Sequence, residues 1–431
     1  MFHFFYRLLA IQLTEGVRKV ELLMIQIIVW DWLEFAVRWT HVITAIAWIG
    51  SSFYFIALDL GLRHSSSLPQ GVKGQEWQVH GGGFYNIRKF TIAPPDLPEK
   101  LVWFKWESYA TWLSGFALLA IVYYGGAELL LVDTNVLELS STAAILISMG
   151  SLALGWIAYN FICKLNVGKD DTRLMLMLFF MLVGFAWLYC NIFSGRAAFL
   201  HLGALTATIM SANVFFIIIP NQKIVVADLI AGKSPDPNFG VIAKQRSTHN
   251  NYLTLPVIFM MISNHYPLAF GARYNWTIAA LVFLMGVSIR HYFNQKHASN
   301  LKPIWAWVVT FFLFLSVVLL SFVRPPSHAL DDSLASSSHR SALELAKFVD
   351  LSDTIVSRCG MCHAREPLWD GMIEAPGGLL LETKNDIARN AKQIYINAGI
   401  SNYMPPNNIS YMEPEERQLI VDWFEDYYKA I

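Results

Sequence analysis

The chain has 431 residues, with 32 Lys/Arg against 32 Asp/Glu, so its formal net charge is zero and nothing in that balance argues for nucleic acid as a partner. Hydrophobic residues make up 55% and charged residues only 15%, against about 25% charged in a soluble globule. With a mean hydropathy of +0.41, this composition excludes an ordinary soluble enzyme and points to a lipid bilayer as solvent.

Residues 1–23 read as a weakly amphipathic leader, with Met24 as an alternative start; the apolar core and small-residue cleavage pattern of a signal peptide are not evident. Beyond it, a spanning helix needs about 20 mainly apolar residues. Eight segments qualify, near 33–58, 108–124, 142–163, 173–193, 197–219, 252–270, 276–293 and 303–323. Trp30, Trp32, Trp103, Trp106, Tyr123, Trp276, Trp305 and Trp307 mark their ends, as interfacial rings do. Sixteen Lys/Arg fall in the connections after spans 1, 3, 5 and 7, and three after the others. The odd-numbered connections are therefore expected in the cytoplasm, with the C-terminus returned to the outer face. The expected membrane domain covers 24–323.

Residues 324–339 are rich in Pro, Ser and Asp and read as a linker. Residues 340–431 form a soluble region with nine Lys/Arg and fourteen Asp/Glu, a formal charge of −5. Within it, Cys359-Gly-Met-Cys-His363 is the C-x-x-C-H signature of c-type haem attachment. Two thiols one helical turn apart reach the two vinyl groups of one porphyrin, and His363 then lies under the iron. Met404, about 40 residues on, is the expected sixth ligand, with Met372 and Met412 as fallbacks. Leu419, Ile420, Trp423, Phe424 and Tyr427 form one stripe that should pack on a helix at 341–358. The expected fold is all-α, an eight-helix transmembrane bundle followed by a class I cytochrome c domain. The acidic domain suggests a basic docking surface on its electron acceptor, a respiratory terminal oxidase or a soluble cytochrome c.

Histidine within a bilayer is a functional candidate. His41, His201 and His265 fall in or near the outer half, where His41 with a second histidine could ligate a b-type haem. The plainer account is hydrogen-bonded helix packing. An adjacent His-His pair, needed by haem–copper oxidases, does not occur. His249 and His265 lie sixteen residues apart, off a common helical face, which disfavours a di-haem quinol cytochrome.

The first cytoplasmic connection combines Glu76, Trp77, His80, three consecutive glycines and Tyr85 with Arg88 and Lys89. The run Arg246-Ser-Thr-His-Asn-Asn-Tyr252 adds Thr248, His249 and Asn250 on the same side. Imidazoles, amides, cations and rings suit a planar, anionic, hydrogen-bonding substrate. A positively charged loop with a glycine turn explains the first connection equally well.

Four stretches together resemble the bacterial membrane-bound urate hydroxylases: Trp39-Thr-His-Val-Ile-Thr-Ala-Ile-Ala-Trp-Ile-Gly50, Trp77-Gln-Val-His-Gly-Gly-Gly-Phe-Tyr85, Trp103-Phe-Lys-Trp-Glu-Ser-Tyr109 and Thr248-His-Asn-Asn-Tyr252. The resemblance implies an eight-helix membrane domain fused to cytochrome c, in the bacterial inner membrane with the cytochrome domain in the periplasm. It implies oxidation of urate to 5-hydroxyisourate without hydrogen peroxide, with electrons passed to the attached haem. Chemistry and topology single out His249, Asn250, Thr248 and His80 as catalytic candidates. An apolar core ~30 Å thick is too wide for one electron transfer. Substrate is therefore expected in the outer half near His41 and His201, or else a relay such as haem b is expected. The rival reading is a non-enzymatic subunit carrying electrons from quinol to a cytochrome. A transporter or sensor reading lacks broken helix pairs in matching halves.

Overall fold

A computed structural model describes residues 15–133, 136–299, 301–323, 347–369, 372, 375–400, 404–405 and 408–430. The expected linker and the start of the leader lie outside these residues. The chain is mostly helical and divides into two units, Val37–Pro326 and a second comprising Met1–Ala36 with Ser327–Ile431.

Helix α1 spans Glu15–Gly61. A hairpin follows, β1 at Val72–His80 and β2 at Gly83–Phe90. Then come α2 (Trp106–Leu119), α3 (Ser141–Lys164), α4 (Asp171–Cys190), α5 (Gly195–Ala212) and α6 (Ile219–Ile230). The unit closes with α7 (Pro237–Ile262), α8 (Asn275–Ser299) and α9 (Trp305–Ser321). Among the described residues, five helices are long and apolar enough to cross a membrane: Ile28–Gly61, Ser141–Lys164, Asp171–Cys190, Gly195–Ile230 and Asn275–Ser299. Trp305–Ser321 is a shorter apolar helix. These lengths are compatible with a membrane protein. On α1 and α9, large apolar side chains such as Trp39, Ile46, Phe311 and Phe312 stay exposed, as hydrocarbon-facing surfaces do.

Local chemistry sets the helix starts. Ser140 and Ser194 cap α3 and α5, and Asp170 and Asp236 cap α4 and α7, with Pro237 at the first turn of α7. The core lies among α3, α4, α5, α7 and α8, where Tyr159, Leu178, Phe199, Leu202 and Ile278 are buried. Gly286 of α8 faces Pro256 of α7 so closely that a Cβ would sit 2.5 Å from the ring, which lets the two backbones meet at the proline.

The hairpin corrects the all-α expectation. Pairing runs from Val72↔Phe90 to His80↔Gly83, leaving Gly81 and Gly82 as a two-residue turn with φ of +59° and +79°. Two positive φ values match the right-handed strand twist and favour glycine strongly. The glycine run is thus accounted for by the turn. Asp59 at the end of α1 takes hydrogen-bonded ion pairs from Lys89 of β2 and Lys244 of α7, tying the hairpin to the helices.

In the second unit, α10 spans Phe348–His363, α11 Lys384–Arg389 and α12 Pro414–Ala430. The α12 stripe does meet α10. Trp423 and Ile420 are fully buried, and the Phe348 and Trp423 rings lie 5.7 Å apart. Arg358 of α10 pairs with Glu416 of α12 at 3.0 Å. A reciprocal Thr383–Asp386 box starts α11.

Candidate functional site

Arg246, His249 and Asn250 recur at i, i+3 and i+4, so α7 presents them on one face. The facing helices answer with polar groups in an otherwise apolar interior. Tyr159 of α3 meets His249 Nδ1 at 2.8 Å, and Asn213 donates to the Tyr159 hydroxyl at 3.2 Å. The Tyr159 oxygen can accept from both Asn213 and His249 Nδ1–H, the tautomer that leaves His249 Nε2 with a free lone pair. Asn213 also donates to Asn250 Oδ1 at 3.2 Å, and Asn250 Nδ2 donates to the Met210 carbonyl at 2.9 Å. Arg246 donates to Asn160 Oδ1 at 2.9 Å and Asn213 Oδ1 at 3.4 Å, and its guanidinium lies 4.7 Å from the Tyr159 ring centroid.

The backbone helps to place Asn213. The helix from α5 into α6 widens to a π-turn over Asn213–Ile218, beginning on that residue. Such widening is frequent at functional sites, because it turns a side chain out of α-helical register.

Charge is the telling feature. Arg246 is only 3% exposed. Among the described residues no carboxylate lies within ion-pair distance of it, and its Nε has no hydrogen-bond partner. The acceptors around it are committed, and its donors are in surplus. A buried guanidinium held by neutral amides and a phenol is costly unless an anion joins it. The arrangement can hold a planar anion and place a proton-accepting imidazole beside it.

Residues 27–321 match the model for the urate oxidase N-terminal family. The chain belongs to that family. No curated protein and no solved structure matches it significantly. The Arg246 centre therefore lies inside the segment that defines this urate-oxidase-related family.

The other candidates are distributed differently. Thr248 donates to the Lys244 carbonyl of its own helix at 2.9 Å and does not join the cluster. His80 is exposed beside the hairpin turn. Sequence reasoning missed Tyr159, Asn160 and Asn213. The signal was there: three hydrogen-bonding side chains inside apolar segments.

His41 Nδ1 donates to the Thr111 carbonyl at 3.1 Å and also meets Ser114 at 3.2 Å. His201 Nδ1 donates to the Ala197 carbonyl at 2.7 Å, and its ring packs against Phe193 at 4.8 Å and Tyr123 at 5.8 Å. The imidazoles thus contact α2 near Ser114 and its extension at Tyr123. Those positions are nine residues apart, about 13 Å along a helix. His201 Nε2 is buried with no hydrogen-bond partner among the described residues. The side chain of His265 lies outside the described residues.

A Cβ at Gly115 would lie 2.7 Å from His41 Cε1. Gly115→Val is expected to push His41 off Thr111 and lower stability by roughly 1–3 kcal/mol, read as a fall in the thermal midpoint of the purified protein.

Outside the family segment, Cys359, Cys362 and His363 occupy the last turn of α10. His363 Nδ1 donates to the Leu379 carbonyl at 2.9 Å, leaving Nε2 as a lone-pair donor, the tautomer an iron-ligating imidazole needs. Burial pushes the Cys359 thiol up to about 12, so it stays protonated at neutral pH before any bond is made to it. Met404 packs at the edge of this core. Arg417 holds its loop, donating to the Met404 carbonyl at 2.8 Å, the Ala398 carbonyl at 2.7 Å and Asn408 Oδ1 at 3.1 Å. The two thiols and the oriented imidazole are the donors that would hold a covalently attached c-type haem, with Met404 the expected further ligand.

Proposed function

We propose that the chain is a membrane-bound urate hydroxylase. In this reading it oxidises urate to 5-hydroxyisourate, delivers the electrons to its own c-type haem, and passes them to a respiratory terminal oxidase or soluble cytochrome c without forming hydrogen peroxide. Family membership supports urate as the substrate. The observation that carries the site is Arg246, a buried cation with surplus donors and no described carboxylate partner.

The balance is simple. Urate plus water gives 5-hydroxyisourate, two protons and two electrons. A bond forms between C5 and the water oxygen, and the protons leave from that water and from the ring. Arg246 holds the anion, and Asn213 and Asn250 fix its edge. His249, set by the Tyr159 hydroxyl, takes a proton. Bound haem supplies the electron acceptor. The proposed architecture is eight spans in a bacterial inner membrane, with the family site toward the cytoplasmic ends and the cytochrome domain in the periplasm, which requires an intramembrane relay such as a b-type haem between them.

The test is to purify the oxidised protein anaerobically, add urate and record the visible difference spectrum. The c-haem α-band is expected to appear at a catalytic rate. If urate leaves the haem oxidised while a quinol reduces it, the chain is an electron-transfer subunit and the enzyme reading fails.

A further inference from the structure

A second guanidinium is buried on a different face of α7. Arg290 of α8 is 7% exposed. It donates to Asn251 Oδ1 at 3.3 Å and to Asn294 Oδ1 at 3.2 Å, and its Cζ lies 3.9 Å from the Phe53 ring centroid. Asn294 Nδ2 also donates to Asn251 Oδ1, at 3.0 Å. Both amide oxygens are consumed, while Asn251 Nδ2 is fully buried with no partner. Among the described residues no carboxylate lies within ion-pair distance of Arg290. Only donors and positive charge remain, so the complementary ligand is an anion.

The cluster repeats the chemistry of the Arg246 centre: a buried guanidinium on an aromatic ring, paired with asparagine amides. The two are joined by sequence, since Asn250 serves one and Asn251 the other. Consecutive helical side chains leave the axis about 100° apart, so α7 divides the clusters between its faces. Ser288 donates to the Ala306 carbonyl at 2.8 Å, and His291 meets the Trp305 ring at 5.5 Å. Arg290 therefore sits level with the first turn of α9, whose Trp305 and Trp307 suit the membrane interface.

We propose that Arg290 and Asn251 form a second subsite for the planar purine anion, exchanging with the Arg246 centre across α7. The inference rests on the urate reading above. A headgroup phosphate offers the same charge at the same depth, so the lipid must be varied in the test.

The experiment uses the full-length holoprotein, reduced with dithionite so that urate binds without being oxidised, in phosphatidylcholine nanodiscs. Equilibrium dialysis with labelled urate is expected to give two equivalents per chain, and one in Arg290→Gln. Asn251→Asp, which lodges a carboxylate against Arg290, is also expected to give one. Arg290→Gln should raise KM for urate about tenfold, the loss of one charged hydrogen bond. One equivalent in wild type and both variants removes the subsite and leaves the urate reading standing. No binding in wild type removes both. If phosphatidylglycerol discs alone abolish the second equivalent, a headgroup phosphate occupies the site and the purine assignment falls. Two equivalents in both variants, with Asn251→Asp raising the thermal midpoint, make Arg290 a strut.

Discussion

Arg246→Lys is expected to lower kcat/KM for urate about 100-fold, equivalent to ~2.7 kcal/mol at 1.36 kcal/mol per decade. Lysine keeps the charge but loses the planar fork that reaches Asn160 and Asn213 while lying over Tyr159. One or two charge-assisted hydrogen bonds, at ~1.5–3 kcal/mol each, account for that size. Arg246→Met separates function from structure more sharply. It removes a buried charge that has no described carboxylate partner, so it should leave thermal stability unchanged or raised while turnover is lost. Steady-state kinetics beside a thermal melt would decide the matter. A destabilised variant that still oxidises urate would make Arg246 a structural strut and would move the active site elsewhere.

The second large effect is expected from Cys362→Ala together with Cys359→Ala. Covalent haem attachment should be lost, and with it the c-type α-band and all transfer of electrons from urate to an external acceptor. Equilibrium urate binding should persist, because the family segment ends before the cytochrome motif. Haem-stained gels, the visible spectrum and urate dialysis together read this out. Turnover that survives complete haem loss would show that electrons leave by another route. His363→Ala tests the ligand separately from the tether: haem stays attached, but its spectrum and potential change, because the Leu379-oriented imidazole is gone.

The contrast between the variants follows from how the two units store their chemistry. In the unit that carries the C-x-x-C-H motif the decisive atoms are local. Cys359, Cys362 and His363 fall within one turn of a single helix, so spacing alone reveals them. Among the described residues, the distant contributions are Leu379, which orients the histidine, and Arg417, which ties down the Met404 loop. In the larger unit the decisive atoms come from three separate helices. Local pattern reveals the α7 face with Arg246, His249 and Asn250. It cannot reveal that Tyr159, Asn160 and Asn213 face it.

Composition, apolar run lengths and the C-x-x-C-H motif were therefore determined by the sequence alone, because each depends on residues within one helical segment. His249 and Asn250 were legible for the same reason. Tertiary structure decided the rest. Arg246 and Arg290 count as loop cations when charges are tallied along the chain, yet both are buried in helices among amides. His80 and Thr248 look like neighbours of the site by composition, but one faces solvent beside a glycine turn and the other bonds its own helix. His41 and His201 share an apolar setting and still contact α2 and its extension about 13 Å apart. The physical reason is common to all of them. A polar side chain in an apolar interior is defined by its partner, and partners a hundred residues away are chosen by helix packing.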